Sequence, residues 1–202
     1  VAMYPISLKI EGKPCVVAGG GKIAYFKLVS LLQAKAAVTA VSPFIIPEIE
    51  QLYDEGKIKL IRKEIEQDDY KDAFLIIAAT NEQSINREIY ENTKDIKLVN
   101  VVSDSELGNF HIPATLTRGK LQISIATGGA SPMLAKKIRE DLQGTFDESY
   151  EEYLEFLYEA RIAIKNSSFP SEKKHVFFKE VLDEKYKHSL SERQHFLKLL
   201  KQ

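Results

Sequence analysis

Tryptophan is missing from this 202-residue chain, and cysteine occurs once. A single thiol excludes an internal disulfide framework and fits a reducing compartment. No apolar run approaches the roughly 18 residues that a membrane-spanning helix requires. The start of the chain also lacks the basic-then-apolar pattern of a secretory signal. Excess charge of either sign is absent, since 28 Lys and Arg face 29 Asp and Glu for a formal charge of −1. Broad electrostatic binding to nucleic acid is thereby excluded. Neither Cys-x-x-Cys nor His-Glu-x-x-His occurs, so no metal site is expected. What is present is 44% hydrophobic and 28% charged residues, the balance of a soluble globular protein. We therefore expect a cytoplasmic chain without nucleic-acid or membrane partners. Its length suits one nucleotide-sized domain plus a smaller appendage. Val1 and Ala2, ahead of Met3, are given no role.

The pattern divides the chain into three stretches. Over 1–113, short β-rich runs at 14–18, 37–41, 58–62, 74–79 and 97–102 alternate with helical patterns at 23–33, 47–55 and 82–91. Three of the runs are rich in Val, Ile, Leu and Ala with no alternating polar face. Such strands are buried on both sides, as in a parallel sheet with helical crossovers. The fold class expected is α/β, with an N-terminal Rossmann-type sheet. Residues 114–144 read as a small α+β segment: a strand at 122–126, a Gly-Gly turn, and a helix at 132–143. Residues 145–202 read as all-helical, with Tyr150, Leu154, Leu157, Tyr158 and Ile162 at helical spacing. Residues 166–170 form a turn between two helices. Ser189 followed by Glu192 predicts a capping box that opens the last helix.

The strongest local motif is Gly19-x-Gly21-x-x-Ala24, directly after a predicted strand and at the opening of a helix. Gly19 permits a tight turn, Gly21 lets a pyrophosphate approach the backbone, and Ala24 lets the helix pack close to the strand. Lys22 and Ile23 lie in the same stretch, where first-turn N–H groups and the helix dipole favour an anion. The plain alternative is a glycine-rich turn that binds nothing. The second strand ends at Val41-Ser42, where many dinucleotide sites place an acid on the ribose. Ser42 can hydrogen-bond a ribose, and no Arg follows at once to hold a 2′-phosphate, so NAD is expected over NADP. Cys15, inside the first strand, reads as a core residue.

In open parallel sheets, ligands bind beyond the carboxyl ends of the strands. Two further predicted strands end in polar residues, one at Thr80-Asn81 and one at Asn100. Past Asn100 the chain carries Asp104 and His111, an acid and a histidine close together beyond the sheet edge. A carboxylate there suits a general base or a contact to a cationic or N–H-bearing substrate. Ser103-Asp104-Ser105 as an ordinary polar turn is the competing reading.

Together these residues resemble the precorrin-2 dehydrogenase family, the small siroheme synthases of Bacillus type that form sirohydrochlorin. The resemblance rests on Tyr4-Pro5-Ile6, Gly19-Gly20-Gly21-Lys22-Ile23-Ala24, and Ala78-Ala79-Thr80-Asn81 with Asn86. It continues through Asn100-Val101-Val102-Ser103-Asp104, Gly108-Asn109-Phe110 leading to Pro113, and Ser124-Ile125-Ala126-Thr127-Gly128-Gly129-Ala130-Ser131-Pro132. These pieces span about residues 4–142, and the rest matches as a variable helical tail.

The resemblance implies NAD-dependent oxidation of precorrin-2 by a homodimer, with 114–144 as the dimerisation segment. Some relatives also insert ferrous iron, and others carry a fused methyltransferase for which this chain has no room. The family's aspartate often follows Asn-Val-Val directly. Here Ser103 holds that position and the acid comes one residue later, so the role is carried to Asp104. Cofactor contacts are expected from Gly19, Gly21, Lys22, Ile23, Ala24, Ser42, Thr80 and Asn100. Substrate contacts are expected from Ser103, His111, Thr127, Gly128 and Ser131.

Precorrin-2 carries many carboxylates, so Arg118, Lys120, Lys136, Lys137 and Arg139 are available cations, although the last three also fit a solvated helix face. Ala34-Lys35-Ala36-Ala37 lacks the family's usual glycine at a helix end. The alternatives from other classes are an NAD(H)-binding regulatory module without catalysis, an oxidoreductase for another acidic substrate, and a sirohydrochlorin ferrochelatase.

Overall fold

The computed structural model describes residues 3–104 and 106–200. It divides into two compact units, one ending at Ile112 and the other beginning at Pro113.

The first unit is built from β1 (Pro14–Ala18), α1 (Lys22–Gln33), β2 (Ala37–Val41), α2 (Pro47–Asp54) and β3 (Lys59–Ile61). It continues through α3 (Gln67–Tyr70), β4 (Leu75–Ala78), α4 (Gln83–Thr93) and β5 (Leu98–Val101). All strand pairings are parallel, in the order β3-β2-β1-β4-β5. The apolar runs lack a polar face because each central strand is covered twice. Cys15 and Val17 face one cluster with Ala24, Leu28 and Leu31 of α1 and Ile49 and Leu52 of α2. Val16 and Ala18 face the other, with Tyr70 of α3 and Ile89 of α4. Burial pushes the Cys15 thiol up to about 11, so it stays protonated and acts as a small core group.

Strands 1 and 2 have the expected bounds, whereas β3, β4 and β5 are shorter than their apolar runs, because pairing stops where the partner strand stops. The short α3 was not expected. It opens on a capping box in which Glu66 and Asp69 each accept from the other's backbone N–H; its four residues are too few to show a helical period.

Helix α1 ends in a Schellman arrangement. The Lys35 N–H donates to Leu32 O at 2.9 Å and the Ala36 N–H to Leu31 O at 3.1 Å. This places Lys35 at φ +57°, the one non-glycine residue with positive φ among the described residues. Glycine adopts that conformation without steric penalty, and a side chain costs roughly 1 kcal/mol there. Lys35→Gly is therefore expected to stabilise the protein by about 0.5–1 kcal/mol. Urea unfolding would show this as a raised midpoint at constant slope; a lower midpoint would refute the strain.

The second unit contains β6 (Ala114–Arg118), β7 (Leu121–Ile125), α5 (Pro132–Thr145), α6 (Ser149–Asn166), α7 (Ser171–Glu180), α8 (Glu184–His188) and α9 (Leu190–Leu199). Strand β6 is an addition to the single strand expected here. It pairs antiparallel with β7 across a two-residue turn, with Gly119 at φ +52° in the first central position, where a II′ hairpin wants glycine. Its sequence, Ala-Thr-Leu-Thr-Arg, shows one buried residue, Leu116, too little to signal a strand.

The helices enclose Tyr153, Phe156, Ile164, Phe177, Tyr186 and Phe196. Hairpin and helices belong to one body: Lys120 Nζ lies 2.9 Å from Glu155 Oε1 on α6. Ser189 Oγ accepts from the Glu192 N–H and so caps α9. His188 closes α8 whereas His195 lies in α9. Among the described residues no helix is long and apolar enough to cross a membrane.

Candidate active site

In the order β3-β2-β1-β4-β5 the chain reverses direction between β1 and β4, which opens a crevice at their carboxyl ends. The glycine turn that joins β1 to α1 lies at this point. Gly19 has φ +129°, and a Cβ there would run into Ala79 O. Its N–H donates to Val41 O at 2.9 Å, tying the turn to β2. Gly20 is tighter still, because a Cβ would overlap Phe44 O and lie 2.8 Å from Ser42 Oγ. The motif leaves this middle position open, so Gly20 was missed; the triple glycine was its signal.

Gly21 differs from both. It is the N-cap of α1 at φ −92°, and a Cβ would meet nothing within 4 Å. No side chain caps the helix and its first turn holds no acid. The open face above Gly21, Lys22 and Ile23 therefore fits a pyrophosphate on the helix N-terminus. Ala24 is fully buried and keeps α1 close to the sheet.

The remaining edge residues hold one another. Ser42 is 8% exposed and donates its hydroxyl proton to Phe44 O at 2.7 Å. It can therefore offer a ribose an acceptor lone pair, while the Phe44 ring beside it is 85% exposed. Thr80 Oγ1 lies 2.7 Å from Asn86 Oδ1 and 3.0 Å from Glu82 O, so its hydroxyl supports the loop after β4.

Beyond β5 the chain folds back on its own strand. The Asn109 N–H donates to Val99 O at 3.0 Å, and Asn109 Oδ1 accepts from the Val99 N–H at 3.0 Å. Asn100 Nδ2 donates to Phe110 O at 3.1 Å. At Gly108, φ +116°, a Cβ would sit 2.9 Å from Val99 O. This return covers an edge strand and secures the far end of the loop that carries Asp104. There Asp104 is half-buried and its Oδ1 accepts from the Glu106 N–H at 2.9 Å. Ser105 lies outside the described residues. His111 is exposed near the end of the same unit.

The other three substrate candidates belong to the second unit. Thr127, Gly128, Gly129 and Ala130 form a turn with both glycines at positive φ, closed by the Ala130 N–H to Thr127 O at 3.0 Å. Thr127 Oγ1 donates to Ser131 O at 3.1 Å, and Ser131 Oγ accepts from the Leu134 N–H at 3.1 Å as the cap of α5. Both hydroxyls thus shape the turn, leaving Gly128 with open space around it. Of the cations, Lys120 pairs with Glu155, while Lys136 and Arg139 lie within 4 Å of Glu140. Among the described residues no cluster of three His, Cys, Asp or Glu could hold a metal ion.

A glycine turn and an uncapped helix start thus follow β1, and a braced loop carries Asp104 beyond β5. A precorrin-2 dehydrogenase from Priestia megaterium is 38% identical over 195 residues, 96% of each chain. The chain belongs to the precorrin-2 dehydrogenase family. The precorrin-2 dehydrogenase of Bacillus subtilis is 40% identical over 79% of this chain and 98% of its own. A solved structure of "SirC, precorrin-2 dehydrogenase" superposes with a TM-score of 0.84 at 38% identity, covering 98% of this chain and 99% of that one. Residues 6–114 match the family described as putative NAD(P)-binding. Residues 118–145 match the sirohaem biosynthesis protein central family, and 150–196 the SirC C-terminal domain.

Proposed function

We propose that the chain oxidises precorrin-2 to sirohydrochlorin with NAD as hydride acceptor, as an enzyme of siroheme synthesis acting in the cytoplasm. The observation that carries this is the open face of Gly21 at the uncapped start of α1, in a chain whose family is established over 96% of its length. Bound NAD supplies the two-electron chemistry; the protein supplies placement. Gly19, Gly21, Lys22, Ile23 and Ala24 receive the pyrophosphate. Ser42 faces the ribose, and Thr80 and Asn100 frame the nicotinamide end. Asp104 takes the proton lost with the hydride or holds pyrrole N–H groups, with Ser103 and His111 beside it in the chain. Thr127, Gly128 and Ser131 offer the substrate carboxylates a helix start. We assign homodimer formation to 114–144, whose two-stranded sheet has no third strand on either edge among the described residues.

The preference for NAD over NADP rests on the end of β2. Ser42 offers no cation to a 2′-phosphate, and Arg62, following β3, is ion-paired with Glu50. The test is anaerobic turnover of precorrin-2, followed by sirohydrochlorin absorbance with iron excluded. NAD is expected to support turnover, with NADP at least about tenfold poorer in kcat/KM, as one unpaired buried phosphate contact costs. Cofactor binding without turnover would favour a regulatory module instead.

A further inference from the structure

The buried amide of Asn86 joins the two loops that the proposed reaction depends on. Asn86 lies in the first turn of α4 and is 1% exposed. Its Oδ1 accepts from the Thr80 N–H at 3.2 Å and from Thr80 Oγ1 at 2.7 Å. Its Nδ2 donates to Thr80 O at 3.1 Å and to Ser103 Oγ at 3.3 Å. One carboxamide therefore uses both of its ends, with no polar atom left over. The first three contacts hold the loop after β4. The fourth crosses to the loop after β5, at the residue next to Asp104.

We propose that Asn86 is a positioning residue that sets the placement of the Asp104 carboxylate through Ser103. The inference rests on the reaction proposed above. The Ser103 hydroxyl is the anchor that Asn86 grips. The anchor matters because Asp104 holds the loop beyond it: the Glu106 N–H donates to Asp104 Oδ1 at 2.9 Å and the Leu107 N–H to Asp104 O at 3.3 Å. Asn109 and Asn100 secure the far end of this loop, and the contact between Asn86 and Ser103 secures the near end. A buried amide is suited to this task, since leaving its donor without a partner is costly and favours one arrangement.

The experiment compares Ser103→Ala, Ser103→Thr, Asn86→Ala and the double variant Asn86→Ala with Ser103→Ala. Ser103 is exposed, so Ser103→Ala should fold. It is expected to lower kcat about tenfold, the effect of one hydrogen bond lost where geometry decides the rate, with KM for NAD within about twofold of the parent. Ser103→Thr keeps the hydroxyl and should restore kcat. In the Asn86→Ala background, Ser103→Ala should cost nothing further. Hydrogen exchange of the Glu106 and Leu107 amides, read on the protein without substrate, should quicken several-fold in Ser103→Ala and Asn86→Ala.

Unchanged exchange in both variants overturns the clamp. Faster exchange with parental kcat, or equal costs of Ser103→Ala in the two backgrounds, overturns the positioning role. A parent protein that forms no NADH from precorrin-2 would overturn the proposed reaction, and the exchange result would still decide the clamp.

Discussion

Gly21→Asp is expected to leave the fold at least as stable as the parent while weakening dinucleotide binding about a hundredfold or more. The two effects separate because Gly21 is an N-cap at φ −92° whose Cβ position is open. Aspartate is a preferred N-cap residue, and its side chain can accept from the first-turn N–H groups that no side chain now caps. Stability should rise by a few tenths of a kcal/mol, the usual gain over glycine there. The same carboxylate, however, stands where the pyrophosphate would lie. Two like charges about 4 Å apart at an effective dielectric of about 20 repel by roughly 4 kcal/mol, enough for the predicted loss. Titration with NADH alongside thermal unfolding measures both quantities. Parental affinity in a folded Gly21→Asp protein would remove α1 from the binding site. Gly20→Ala is the contrasting control: its Cβ would overlap the Phe44 carbonyl, so it should destabilise the protein by about 3 kcal/mol.

Asp104→Asn is expected to lower turnover of precorrin-2 by about 10² to 10³, within the usual contribution of a positioned acid or base. The loop should survive the change. Asparagine keeps an oxygen for the Glu106 N–H, the interaction that now engages Oδ1 of Asp104, and such residues form equivalent turns. Unfolding temperature and KM for NAD should therefore stay close to parental values. What is lost is the second oxygen's ability to take a proton or to meet pyrrole N–H groups as an anion. NADH formation under anaerobic conditions reads the effect directly. Undiminished turnover at saturating substrate would discard the proton-transfer role and leave Asp104 as a turn residue.

Some of this site is local, and the local part was readable. The Val-Val-Ala run before Gly19 is apolar on both faces because it is a central strand, and a period-free apolar run followed by glycines signals a buried strand entering a turn. Gly19, Gly21 and Ala24 follow a known spacing after a strand, so they could be interpreted without the rest of the molecule, even though the carbonyl that crowds Gly19 belongs to Ala79. Gly20 could not. Its crowding comes from Phe44, at the end of another strand that reaches it through the parallel pairing of β1 with β2. Ser42 shows the same limit, since its hydroxyl turns to the Phe44 carbonyl and not freely toward solvent.

The opening absences also look different against the structure. Near-zero net charge ruled out a polyanion-binding surface, and several of the cations offered for a carboxylated substrate now pair with Glu140 or Glu155. The single cysteine, expected in the core, sits there with its thiol held protonated.

Composition, periodicity and the glycine spacing were enough for an α/β chain with a glycine turn after its first strand, because each is patterned over neighbouring residues. The order β3-β2-β1-β4-β5, the hairpin partner β6, and the contacts of Asn86 with Thr80 and Ser103 depended on the folded chain. The strand order joins distant residues, β6 buries too little to show a pattern, and a hydrogen bond between Asn86 and Ser103 leaves no period or spacing along the chain. Where the glycine turn lies was a property of short segments; how the loop with Asp104 is held was decided by contacts across the sheet edge.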